Sequence, residues 1–292
     1  MTVQDSLQTP LYSPNAMPII FHLPLYEILE LGLLGIVSGF LAGLLGIGGG
    51  AVIVPIVTMI LDFNDVETGL SVKMAIATSM ATIMFTSLSS VRAHHRSGNV
   101  KWGLVGRLAP GIVLGSFVGS LGIFSYIKGN ALSVIFALFI GFSATQMFLD
   151  KKPPPQRQFP QGLGQWLSGG VIGMISVLVG AGGAFISVPF MLFCNVPMLN
   201  AVATSSALGF PIALANSLGY TISGWDTPNL PEYSFGYIWL PALIFISCFS
   251  VITAPYGTRA AQKLPVKKLK RFFACFLYLM ALYMISKIFR AS

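Results

Sequence analysis

The chain has 292 residues, 54% of them hydrophobic and only 9% charged, with a formal net charge of +8. A soluble domain carries about 25% charged residues, so this composition, with a mean hydropathy of +0.78, excludes an ordinary soluble protein and predicts a polytopic membrane protein held in a lipid bilayer. The 17 Lys and Arg residues gather in a few loops, as cytoplasmic loops of membrane proteins do; no basic groove with interleaved aromatics argues for nucleic acid.

Residues 1–24 contain Pro10, Pro14, Pro18 and Pro24 and no basic residue. They read as a flexible N-terminal arm, since a signal peptide would need a basic start. Apolar segments follow at about 25–45, 50–61, 71–91, 102–125 and 131–149. The polar, proline-rich stretch over 150–162, with Lys151, Lys152 and Arg157, reads as a stiff linker. A second set lies at about 164–180, 183–194, 199–222, 235–257 and 270–289. The chain thus divides into two five-segment halves, 25–149 and 163–289. Segments 50–61 and 183–194 are short: a dozen residues make ~18 Å of helix against a hydrocarbon core of ~30 Å. They are expected to re-enter or break rather than span alone. Cys194, Cys248 and Cys275 stand in separate apolar runs without disulfide or metal spacing, and read as single buried thiols.

The loops predict an orientation. Arg92, Arg96, Lys101 and Arg107 border one basic loop, and a second basic run covers Arg259 to Arg271. The loops at 62–70 and 223–234 are acidic and lack Lys and Arg. An N-terminus outside puts the basic loops and the linker in the cytoplasm, in a multi-pass protein of the cell's inner membrane. Lys287 and Arg290 oppose this mildly. Five segments per half is an odd number, so the second half enters from the opposite face. All-α with an inverted repeat is the expected fold class.

Each half holds one glycine break. Gly39 to Pro55 and Gly173 to Pro189 match in register, pairing Gly46 with Gly180 and Gly49 with Gly183. Consecutive glycines each cost about 1 kcal/mol in a helix interior, so one helix ends and another starts at each break. A helix start leaves about four N–H groups unpaired, and with the helix dipole these form an anion site. Paired interruptions at corresponding places in two halves of a membrane chain point to a transporter's binding site. Candidate donors are the amides near Gly48, Gly49, Gly50, Gly182 and Gly183.

A second block recurs: Ala75 to Ser79 and Ala201 to Ser205. Thr78, Ser79, Thr204 and Ser205 either complete the anion shell through their hydroxyls or serve close helix packing. Thr82, Thr86 and Ser89 or Ser90 extend a polar face along the first helix; the second carries Pro211, which should kink it, and Asn216. The spacing from Pro55 to Thr78 exceeds that from Pro189 to Thr204, and the extra length is expected in the acidic loop around Asp62–Thr68. Lys73 either snorkels to the interface or lends charge to the anion path. Arg92 and the adjacent His94, His95 and Arg96 either cap their helix on the basic side or form a cationic vestibule; neighbouring histidines do not share a face, which argues against a metal site. The Gly111, Gly115, Gly119 run reads as helix packing.

At these residues the chain resembles the sulfite exporter TauE/SafE family. The likeness covers about 30–288 and rests on the two glycine breaks followed by proline, the two Ala-Thr-Ser blocks, and Arg96-Ser-Gly-Asn-Val-Lys-Trp102 leading into Pro110-Gly111. It implies transport of small sulfur-containing anions such as sulfite, sulfonates or sulfoacetate, most directly export, without a cofactor. Alternatives are a transporter of another small organic anion and an anion channel. No nucleophile, metal cluster or paired carboxylate argues for an enzyme. A homo-oligomer is compatible with the sequence.

Overall fold

The computed structural model describes residues 23–46, 48–149, 159–263 and 266–290. Most of the predicted arm and the linker up to residue 158 lie outside them. The first half contains α1 (Leu25–Leu45), α2 (Gly50–Phe63), α3 (Thr68–Arg96), α4 (Trp102–Leu121), α5 (Ile123–Tyr126) and α6 (Gly129–Leu149). The second contains α7 (Leu163–Val179), α8 (Ala184–Phe193), α9 (Met198–Ser223), the strands β1 (Ser234–Phe235) and β2 (Ile238–Trp239), α10 (Leu240–Lys263) and α11 (Val266–Arg290). Among the described residues, six stretches are long and apolar enough to cross a membrane: α1, α3, α4 with α5, α6, α9 and α10 up to Ala261. The fold is an all-α polytopic membrane protein.

Glycine sets where the helices stop. α1 ends at Gly46 (φ 71°) and α7 at Gly180 (φ 62°), each N–H turning back to the helix's last turn, at Ala42 and Ser176. The next helices start from Gly49 (φ 76°) and Gly183 (φ 71°). Residues with a Cβ avoid this left-handed region, so the glycines at both breaks are required by the backbone.

Packing follows the two halves. α1 lies on α10, α4 on α7, α3 on α9 and α6 on α11; α3 also meets α10 as α9 meets α4, and α2 lies on α3 as α8 lies on α9. Exchanging the halves maps this set of pairings onto itself. The closest approaches are through glycine: Gly39 and Gly43 against the backbone of α10 at Ser250 and Ala254, Gly173 against α4 at Ile112 and Ser116. Gly111 and Gly115 lie against the α7 backbone at Trp166 and Gly170, and Gly119 lies against Val177 and Met174; this run is a packing seam. The α1–α2 pair starts and finishes at an acidic end, where Asn64 Nδ2 donates to Glu27 Oε2 at 3.5 Å. α7 instead starts beside the second turns of α4, at the basic end that carries Arg92, Arg96 and Lys101.

The structure changes several sequence expectations. The extra residues of the first half do not lengthen the acidic loop. α2 has 14 residues against 10 in α8, and the remaining difference lengthens the start of α3. Helix continues because Asp62 bonds Ser71 (Oγ to Oδ1, 2.6 Å) one turn into α3, fastening the two extensions together. Helix α4 breaks at Gly122 into α5, and α10 starts only after a tight ribbon turning at Gly236 (φ 57°). Of the thiols, Cys194 is buried, but Cys248 and Cys275 are exposed on the bundle surface; in lipid an apolar run is no guarantee of an interior position. Lys287 reaches Asp62 at 2.8 Å, so its charge is neutralised within the acidic end and does not count against the loop pattern.

Candidate functional site

The two breaks meet. Gly50 abuts the carbonyl of Gly180. A methyl group on Gly182 would lie 3.9 Å from Gly48 Cα, and Ile83 of α3 stands against both glycines. Ser79 Oγ donates to Gly180 O at 2.9 Å, so a first-half side chain holds the second-half break. Contacts cross in the other direction as well: Gly46 packs on Val202 and Ser206 of α9, as Gly180 packs on Ile76 of α3. Each break is therefore seated on the long helix of the other half.

The first amides of α2 and α8 are the ones that a helix start leaves without an intrahelical partner. Ile186 and Ser187 donate back to Gly183 O, and Val52 and Ile53 donate to Gly49 O. Among the described residues no backbone acceptor takes the N–H groups of Gly183, Ala184 and Phe185, or of Gly49, Gly50 and Ala51. The dipoles of α2 and α8 add partial positive charge at the same places.

Space is scarce between them. A cavity of about 10 Å³ is lined by Ala42, Gly46, Gly48, Ile83, Gly182 and hydroxyl side chains from α3 and α9. That is room for about one water molecule. The hydroxyls are Thr86, Ser87, Ser90, Ser205 and Ser206, so the cavity leans from the breaks toward the basic end. Their present bonds are easily surrendered. Thr86 donates to Thr82 O at 3.1 Å and meets Ser250 Oγ at 2.7 Å. Ser206 donates to Val202 O at 3.1 Å and Ser87 to Met84 O at 3.0 Å. Carbonyls inside a helix already have an N–H partner, so a hydroxyl that leaves them for a ligand strands nothing.

The predicted site residues separate into two groups. Gly48, Gly49, Gly50, Gly182, Gly183, Ser79 and Ser205 lie at the breaks or on the cavity; Ser205 Oγ pairs with Ser187 Oγ at 2.8 Å. Thr78 and Thr204 lie elsewhere. Thr78 Oγ1 accepts the N–H of Trp239, just before α10, at 2.9 Å. Thr204 Oγ1 accepts the N–H of Lys101, just before α4, at 3.1 Å. In each half this threonine secures the start of a helix from the other. Thr82 is buried and bonds to Thr78 O at 2.9 Å. Lys73 donates to Ser125 O at 3.2 Å and sits over the rings of Phe124 and Tyr237, 5.7 Å and 5.5 Å from their centres. Arg92 is exposed at the basic end. Asn216 is fully buried, with Nδ2 3.8 Å from Met80 Sδ and Oδ1 unpaired among the described residues. Ser87, Ser206 and Ile83 were not singled out from the sequence; Ser206 directly follows the recurring Thr-Ser pair, which was the one signal available.

A larger cavity of about 550 Å³ opens at the acidic end, with Glu27, Asp65, Glu67 and Glu232 in its wall. Among the described residues no three His, Cys, Asp or Glu side chains group to hold a metal ion.

Comparison with known proteins gives a consistent assignment. A "probable membrane transporter protein" of Haemophilus influenzae is 39% identical over 256 residues, covering 87% of this chain and 97% of the relative. One from Methanocaldococcus jannaschii is 28% identical, covering 87% of this chain and 93% of that protein. A third, from Bacillus subtilis, is 28% identical and covers 65% of this chain and 77% of its own length. No solved structure matches. The family described as sulfite exporter TauE/SafE matches residues 31–284, and the chain belongs to this family of membrane transporters.

Proposed function

We propose that the chain is a secondary transporter that moves small sulfur-containing anions, sulfite or sulfonates such as sulfoacetate, out of the cell across its inner membrane. The observation that carries this reading is the meeting of two helix starts, packed against each other, whose first amides have no backbone acceptor among the described residues. Such a pair is costly to leave unsatisfied in lipid and suits an oxyanion, whose oxygens accept from both. In our reading the halves form an inverted repeat, and alternating access opens the breaks first to one end and then to the other. Gly48, Gly49, Gly50, Gly182 and Gly183 supply the backbone, and Ser79, Ser205, Ser206, Thr86 and Ser90 supply hydroxyls. Thr78 and Thr204 keep the surrounding helix starts in place. The basic end faces the cytoplasm and gathers anions. An inside-negative potential favours exit by ~2.3 kcal/mol per charge per 100 mV. The relatives' names state transport and no substrate; the family description supports sulfite.

Purified protein in liposomes loaded with sulfite, methanesulfonate, sulfate or succinate tests the reading. Saturable efflux of the sulfur anions is expected, lost in Gly49→Leu and Gly183→Leu, whose side chains would enter the Ser38 backbone and Ile212. Flux that never saturates indicates a channel instead; normal flux in both variants overturns the site.

A further inference from the structure

Helix α3 carries hydrogen-bonding side chains at every fourth position from Thr78 through Thr82, Thr86 and Ser90 to His94. All five are buried, and His94 at the basic end is 0% exposed. It lies one helical turn beyond Ser90, which lines the cavity at the breaks. The imidazole reaches the Gly43 backbone as a hydrogen-bond donor, and Thr258 of α10 bonds the same glycine's carbonyl at 3.4 Å. That approach to Gly43 is poorly aligned, and neither ring nitrogen has a well-formed hydrogen bond among the described residues. A buried imidazole with at most one weak backbone contact keeps hydrogen-bonding capacity unused, so a ligand role accounts for what packing does not. Its sequence neighbour His95 is, by contrast, exposed and occupied, accepting from Trp102 Nε1 at 3.1 Å.

The surrounding charges are all of one sign. α1 between Leu31 and Leu45 has no titratable residue, and the turns of α9 that pack near it have none. α10 brings Arg259 and Tyr256, the loop brings Lys101, and α3 itself brings Arg92, His95 and Arg96; all are exposed. Every described carboxylate lies toward the acidic end. A buried imidazole with no carboxylate beside it becomes charged only when an anion arrives to accompany the proton.

We propose that His94, with Ser90 and Thr258, forms an entry station for small oxyanions at the basic end, where binding an anion and taking up a proton on the imidazole are one linked event. No covalent bond changes; the proton comes from solvent and returns to it when the anion leaves. This rests on the anion reading of the breaks, but the two fail separately.

The test is calorimetric titration of the purified protein with methanesulfonate, an anion that carries no proton of its own near neutrality. Titrations in two buffers of different ionisation enthalpy count protons taken up from about pH 5 to 8, where imidazoles titrate. Uptake should approach one proton per anion on the alkaline side, where affinity falls about tenfold per pH unit by linkage. In His94→Gln both the uptake and the pH dependence should vanish. Wild-type binding without proton uptake overturns the station, as does undiminished uptake in the variant. Absence of any binding by the wild type overturns the anion reading itself. If His94→Gln fails to fold, the wild-type proton count decides alone.

Discussion

Thr78 and Ser79 are neighbours in the chain, yet they serve different ends, and so do Thr204 and Ser205. Each threonine accepts an N–H from the residue before a helix of the other half. Thr78→Val strands a buried N–H, at a cost of about 1–3 kcal/mol, and Thr204→Val strands a partly buried one, at a smaller cost. They should lower the thermal unfolding midpoint while anion affinity in the folded fraction stays within about twofold. Ser205→Ala should do the opposite, weakening binding with little change in melting. Equal effects of both on affinity would return the threonines to the ligand shell. Ile83 marks a second residue-scale lever, because it stands against Gly48 and Gly182 together. Shortening it to Ala removes the side chain that keeps the breaks apart from a continuous space. Stability should fall by about 2–5 kcal/mol, and passive sulfite leak from liposomes should rise. A leak no greater than wild type would mean that Ile83 does not close the path.

At the scale of elements, glycines divide by what stands opposite them. Gly39 and Gly173 occupy matching places in α1 and α7, and both face the backbone of a neighbouring helix. Gly39→Leu and Gly173→Leu should therefore each push a helix pair apart and sharply cut the yield of monodisperse protein in detergent. Gly141 of α6 faces open space; there Ala should raise the melting point, since Ala favours helix by about 1 kcal/mol over Gly. A gain at all three positions would refute glycine-mediated packing. Helix ends were legible in the sequence because they depend on local chemistry: apolar runs stop at Gly46 and Gly180, where φ turns positive. What was not legible depends on distant partners. The Trp239 N–H that occupies Thr78 is 161 residues away, and no local pattern announces it. The helical extension of α2 and α3 hides in the same way, because an Asp62–Ser71 bond converts what reads as an acidic loop into two added turns. His94 was obscured by its neighbours: in a run of cationic residues at a helix end, only the helix rotation reveals which one turns inward.

For the whole molecule, the breaks, duplicated in sequence, were legible as a meeting place, but their tightness was not. Periodicity reports which face of a helix is apolar and says nothing of the gap left when two backbones come together. The acidic end supplies the clearest tie between the halves. Lys287 of α11 bonds Asp62 of α2 and Ser71 of α3, all at 2.8–2.9 Å. Lys287→Ala should lower stability by about 2 kcal/mol, and the double variant Asp62→Ala, Lys287→Ala by less than the sum of the singles. Purely additive losses would show that the pair is not coupled.

The same end bears on the proposed orientation. With Lys287 neutralised there, the free positive charge of the described residues concentrates at the opposite end, around Arg92, Arg96, Lys101 and Arg259. Short loops with unpaired Lys and Arg tend to remain in the cytoplasm, and on the proposed orientation the 550 Å³ acidic cavity faces outside. In the proposed export, an anion leaving through that cavity would meet carboxylates that repel its return, while the basic end would draw the next one in. Orientation and direction are thus linked through charge, and one experiment addresses both. In a background with Cys194, Cys248 and Cys275 replaced by Ala, single cysteines go in at the exposed positions Arg96 and Asp226. A membrane-impermeant maleimide should label Asp226→Cys in intact cells and Arg96→Cys only after permeabilisation. The reverse pattern would turn the acidic cavity toward the cytoplasm. The carboxylates would then face the entering anion, and the charge argument for export would fail with the topology.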